Sequence, residues 1–222
     1  MQRSVRALAP FLAAATVACA TGSNFTSSWT APDAQPLRFA GKKVAALVIS
    51  KDESVRRGAE DELSYQLTKR GAKGIPAYAL VPTDAAQDRE KAKAAFEKAG
   101  IAGVVSMRVV GKNQELNYQP GSAWANPWGS AYYGSFWGGT GGGYYAWGWG
   151  GVYDPGYLRT DTVVTIETLV YSLEQDKLVW AGMSQTTNPE RADDMIRAQV
   201  EKAVQELRKR GLVGPAAKQE NP

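Results

Sequence analysis

The stretch Lys43-Val44-Ala45-Ala46-Leu47-Val48-Ile49-Ser50 constrains this chain more than any other. It has the length of a strand and is apolar at odd and even positions alike. Side chains of a strand alternate between the two faces of a sheet, so a run without alternation is buried on both. The sheet that contains it needs cover on two sides. The following sequence supplies helices to provide it. Val55, Ala59, Leu63 and Leu67 recur every four residues, and Lys69-Arg70-Gly71 is a C-terminal stop. A short strand is expected over 75–81. A second helix is expected from about Asp84, burying Ala92, Ala95, Phe96 and Ala99 and ending before Gly100, and a strand over 104–110 follows.

After a long interruption the pattern changes. Residues 160–173 and 178–186 are rich in β-branched side chains, and the polar Glu174-Gln175-Asp176-Lys177 lies between them. That is the layout of an antiparallel hairpin. A last helix is expected with Asn188 as N-cap, Pro189 at its first position and a buried stripe of Ile196, Val200, Ala203, Val204 and Leu207. Arg208-Lys209-Arg210 suit its carbonyl end and Gly211 terminates it. The order β-α-β-α-β, a long loop, then β-β-α predicts the α/β (α+β) class, with a single mixed sheet covered by helices and right-handed crossovers.

The amino terminus addresses location. Arg3 and Arg6 precede an apolar run from Ala7 to Ala18, and Cys19, the single cysteine among 222 residues, follows it. A run of about 12 residues interrupted by Pro10 is too short to span a bilayer, which takes roughly 20. It has the form of an export signal. Thr16-Val17-Ala18-Cys19 resembles the lipobox of bacterial lipoproteins in the small residue before its cysteine, although Thr16 stands where leucine is usual. The resemblance implies cleavage before Cys19 and attachment of lipid to its thiol. The rival reading is ordinary secretory cleavage at Ala18-Cys19-Ala20. The expected organisation is a signal peptide over 1–18, a lipidated flexible tether over 19–37 and one α/β domain over 38–213. That domain carries a glycine- and aromatic-rich insertion over 116–157, and a disordered tail follows at 214–222. Ala20 after the cysteine favours the outer membrane, facing the periplasm.

The element order behind a tether also resembles the small α/β domain of envelope lipoproteins, such as the activators of penicillin-binding proteins and the curli secretion-channel lipoprotein. The amino-terminal domain of the Tol-system periplasmic protein is similar in shape. Lys177-Leu178-Val179-Trp180-Ala181-Gly182 resembles the end of bacterial lipoprotein domains of unknown function. The resemblance implies an envelope protein. Trp180 itself reads as a core residue of the hairpin.

The segment 116–153 contains no charged residue and holds Trp124, Trp128, Trp137, Trp147 and Trp149, five of the seven tryptophans. Long loops inside compact domains are functional or disordered. Tyr145, Trp147, Trp149 and Tyr153 fall at even spacing, so in a strand they share one face. With Trp137 they form the expected interaction surface. Four readings stay open: a low-complexity loop, an aromatic platform for an envelope protein or glycan, an interfacial membrane anchor, and a hairpin contributed to an oligomeric channel. The flanking elements complete the alternating pattern, so the segment is expected to be separable from the fold.

Composition narrows the chemistry. The chain has no histidine and one cysteine. That excludes histidine acid–base chemistry, Ser-His and Cys-His nucleophiles and the usual zinc sites. No metal, cofactor or catalytic residue is expected, and the reading is a binding protein and not an enzyme. A secreted enzyme using carboxylates alone is the alternative. Glu60-Asp61-Glu62 and Asp193-Asp194 are expected on solvated helix surface. Gly141-Gly142-Gly143-Tyr144-Tyr145-Ala146 matches G-x-G-x-x-A formally but opens no helix. The formal charge is +4. Without Arg3 and Arg6 about +2 remains, too little for a nucleic-acid partner. The expected partners are a membrane, through lipid on Cys19, and an envelope protein or glycan, with room for an oligomer.

Overall fold

The computed structural model describes residues 24–82, 85, 88–114, 136–137, 162–187 and 191–213. Its elements are β1 (Asn24–Thr30), β2 (Lys43–Ile49), α1 (Glu53–Thr68), β3 (Lys73–Pro76), α2 (Arg89–Ala99), β4 (Gly103–Gln114), β5 (Thr162–Ser172), β6 (Lys177–Thr187) and α3 (Ala192–Lys209). One six-stranded sheet runs in the order β1-β6-β5-β4-β2-β3. β2 pairs parallel with β3 and β4, and the other pairs are antiparallel. The expected single mixed sheet covered by helices is the fold of the chain.

The topology dictates which helix covers which face. The chain leaves β2 for β3 on one side, then returns past β2 to β4 on the other. Right-handed crossovers that reverse direction place their helices on opposite faces. Accordingly Ala59, Leu63 and Leu67 of α1 share one core cluster with Val44, Ala46 and Val48. Phe96 and Ala92 of α2 share the other with Ala45, Leu47 and Ile49. All six residues 44–49 are buried, as the unbroken apolar run required. α3 lies beside α1 on the first face, where Ile196, Val200, Ala203 and Leu207 join that cluster.

Local chemistry sets the ends. Asp52 caps α1 by accepting from Ser54 N (2.9 Å) and Val55 N (3.1 Å). Asp88 does the same for α2 with Glu90 N and Lys91 N, both 3.1 Å, and Gly100 closes that helix at φ 66°. α3 starts later than expected. Its flanking residue is Arg191, without a side-chain cap, and not Asn188. Asp193 and Asp194 in the first turn complement the helix dipole instead, and Arg191 pairs with Asp193 at 2.8 Å.

Two expectations change on the first face. Asn24–Thr30, expected within the tether, forms edge strand β1 against β6. Its Phe25 ring meets Trp180 edge-on, with centroids 5.3 Å apart at 83°. Arg210 at the end of α3 adds bonds to Ser28 Oγ (2.7 Å) and Thr30 Oγ1 (3.1 Å). The second change is Val55, which is 48% exposed. A repeat of four drifts about 40° per step around a 3.6-residue helix, so the buried face passes from Val55 to Arg56 and Glu60.

Trp180 is fully buried, as expected for the hairpin core. A register shift in the β5–β6 ladder leaves Val179 out of step, so Val179 and Trp180 both join the cluster under α3. Gly182 follows because a Cβ there would run into the Trp180 indole and the Phe25 ring.

Candidate functional site

The second face is where sequence and structure diverge most. α2 has 11 residues, about 16 Å of helix roughly 10 Å wide. Six strands about 4.8 Å apart span roughly 24 Å. Among the described residues α2 is the helix on this face, and it cannot cover that width, yet Leu169 and Tyr171 of β5 and Met183 of β6 are buried there. Phe136 and Trp137 supply cover. They are 0% and 7% exposed. Phe136 lies 4.7 Å, centroid to centroid, from both Trp137 and Tyr171, while Trp137 lies 5.5 Å from Phe96. Edge and tilted contacts of this kind add to the burial of the rings.

Trp137 was expected on an exposed interaction surface, and the structure places it in the core. The physical reason is the uncovered width of the sheet, which strand periodicity alone does not reveal. The segment 116–153 is therefore not fully separable from the domain, since two of its residues complete the second core cluster. Cys19, Tyr145, Trp147, Trp149 and Tyr153 lie outside the described residues, as do the signal peptide 1–18, the tail 214–222 and the 141–146 glycine motif.

Strands β4 and β5 also carry an ion pair that the sequence reading missed. Arg108 of β4 faces Glu167 of β5 across the ladder. Arg108 Nε donates to Glu167 Oε2 at 2.6 Å, and the side chains are 3% and 1% exposed. The sequence offers only a charge flanked by apolar residues in each strand, Arg108 between Met107 and Val109 and Glu167 beside Ile166.

Glu60 was expected in solvent and is fully buried. β3 ends at Pro76, level with Ala46, so Val48 has no strand partner on that side. Glu60 fills the gap by accepting from Val48 N (3.2 Å) and Tyr78 N (2.7 Å). Arg56 approaches it at 3.5 Å. Burial pushes its carboxyl up to about 7, against the pull of the two N–H donors and Arg56. This is a structural role. Asp61 is exposed and receives the Tyr78 hydroxyl at 2.6 Å. Asp193 and Asp194 lie at the surface as expected. Among the described residues no group of three His, Cys, Asp or Glu could hold a metal, and no helix is long and apolar enough to cross a membrane.

The first face has open space between its helices and the sheet. A cavity of about 170 Å³ lies near the carboxyl ends of α1 and α3, lined by Leu67, Val105, Met107, Thr168, Val170 and Ala203 among others. A second, of about 300 Å³, lies near their amino ends, lined by Val48, Val55, Met107, Ile166 and Ile196 among others. Met107 borders both.

Among the described residues, fold and site define an α/β domain with one mixed sheet, two helices on one face, and one helix plus an aromatic anchor on the other. No family model matches the sequence, and none of the curated proteins does. Among solved structures the chain is similar to the PelC dodecamer from Paraburkholderia phytofirmans, at 12% identity and a TM-score of 0.42, covering 83% of this chain and 96% of that one. It is also similar to lipoprotein GNA1162 from Neisseria meningitidis, at 13% identity and a TM-score of 0.36, covering 76% of this chain and 99% of that one. At these scores the likeness carries neither family nor function to this chain.

Proposed function

We propose that the chain is an outer-membrane lipoprotein facing the periplasm, anchored through Cys19, that works by binding and without catalysis. The observation that carries this reading is the uncharged aromatic segment 116–153, seated on the domain by Phe136 and Trp137. Phe136 and Trp137 tie the middle of the segment to the core. Trp147 and Trp149 follow that pair by 10 and 12 residues in the sequence, and anchoring part of a segment lowers the ordering cost of engaging a partner. Tyr145, Trp147, Trp149 and Tyr153 are the residues proposed to contact an envelope protein or glycan. The absence of histidine from the sequence favours binding over catalysis.

Two measurements test the reading. Cys19→Ala is expected to release the protein from membranes, and the intact mass of the extracted wild type is expected to begin at Cys19 with added acyl mass. A mature chain beginning at Thr21 without acyl mass overturns the anchor. For the binding role, photocrosslinkers placed at Tyr145 and Tyr153 in intact cells are expected to give discrete adducts, lost when Trp147 and Trp149 become alanine. Turnover of an envelope substrate by the purified protein, abolished by Asp193→Asn, would sink the non-catalytic reading.

A further inference from the structure

We propose that the space between the sheet and the α1–α3 pair holds a single acyl chain with an anionic head group, a fatty acid or a lysophospholipid. The two cavities lie at opposite ends of the same helix pair and share Met107 as a common wall. Methionine is unbranched and adapts its rotamer to irregular space, so it makes a movable divider between them. The larger cavity already has the volume of small-molecule sites, which begin at about 300 Å³. Its lining is mostly apolar, and the exposed Val55 stands at its edge. That suits a hydrocarbon tail.

The smaller cavity has the features of a head-group site. Thr168 is fully buried, lines this cavity, and its Oγ1 has no hydrogen-bond partner among the described residues. A buried hydroxyl left unmatched is destabilising. A carboxylate or ester carbonyl would accept from it. Arg70 and Arg208 line the same cavity. The described bonds of Arg70 run from Nη1 to Gln66 O (3.0 Å) and Gln66 Oε1 (2.6 Å), and a guanidinium has five N–H donors. Burial holds the Arg70 guanidinium below its ordinary value, Glu201 acts the other way, and the like charge of Arg208 lowers it further. An anionic head group would sit against the guanidinium donors of Arg70 that its two bonds to Gln66 do not use. A cavity of about 170 Å³ is close to the roughly 150 Å³ that takes a benzene-sized group, so a head group inside it shares its space with Thr168 and both arginines.

The test uses purified Cys19→Ala protein, which carries no lipid of its own. Calorimetry is run with dodecanoate, dodecanoyl lysophosphatidylglycerol and dodecanol. Saturable binding of one of the two anionic probes is expected, at least tenfold tighter than dodecanol. The tighter anionic probe identifies the source, a membrane lipid or a free fatty acid. Met107→Trp, which fills the divide, is expected to weaken binding at least tenfold. Ala203→Leu narrows the head-group cavity and serves if the tryptophan variant does not fold. Thr168→Val and Arg70→Gln are expected to weaken the anionic probe while leaving dodecanol within about twofold. No saturable binding of either anionic probe overturns the proposal. Unchanged affinity in a folded Met107→Trp or Ala203→Leu protein overturns it as well, because binding then lies elsewhere.

Discussion

A carboxylate taken out of water has to find donors, and Glu60 finds them where the sheet runs out. Val48 N and Tyr78 N both point to it because β3 stops at Pro76. Its pKa of about 7 lies above the ordinary 4.5, so between those values the folded protein keeps a proton that the unfolded chain releases. Stability from this group is therefore complete below about pH 4.5 and is lost as pH rises through 7, by up to about 3 kcal/mol. Asp33, Asp52, Asp88 and Asp193 have lowered values. Their contributions are lost at lower pH, outside this window. Glu60→Gln keeps one acceptor and cannot ionise. Urea unfolding at pH 5 and pH 8 is expected to show wild type weaker at pH 8, with most of that difference absent in the variant. An equal pH dependence in both proteins would show that Glu60 is ionised throughout.

At the scale of elements, the strands and helices that bury their own side chains were legible. Residues 43–50 read as a doubly covered strand, and the hairpin turn fell between β5 and β6 as the polar stretch 174–177 suggested. What escaped the sequence depended on neighbours distant in the chain. β1 shows no periodicity because it is an edge strand whose burial comes from Trp180 and α3. Phe136 and Trp137 look like part of a low-complexity loop because their partners are Phe96 and Tyr171. Arg108 and Glu167 are silent until β4 and β5 are placed in register. That pair gives an element-scale prediction. Removing one partner strands a buried charge, so Arg108→Met alone is expected to cost about 3–5 kcal/mol. Arg108→Met with Glu167→Leu is expected to recover most of the loss, since apolar replacement of a whole buried pair is close to neutral. Thermal melts of the single and double variants decide it, and additive losses would show that the two charges act independently.

For the whole molecule the question is how far the 116–153 segment belongs to the domain. Loop-closure entropy grows slowly with length, so shortening a loop costs little in itself. Losing core aromatics costs much more, about 3–5 kcal/mol for a buried Phe or Trp cut to Ala. Phe136 and Trp137 are buried against α2 and β5, so replacing 117–154 with a Gly/Ser linker removes two core residues with the loop. That variant is expected to melt well below wild type or to lose cooperativity. The single variant Phe136→Ala should reproduce a large share of the loss, because Phe136 is fully buried and touches Phe96, Trp137 and Tyr171. By contrast, Trp147→Ala with Trp149→Ala is expected to keep the wild-type melting temperature within a few degrees while abolishing crosslinked adducts. The two results together divide the segment into a part that completes the sheet's second face and a part that meets a partner. If the Trp147/Trp149 variant melts as low as the linker replacement, those side chains are core too, and the binding surface must be sought elsewhere on the domain.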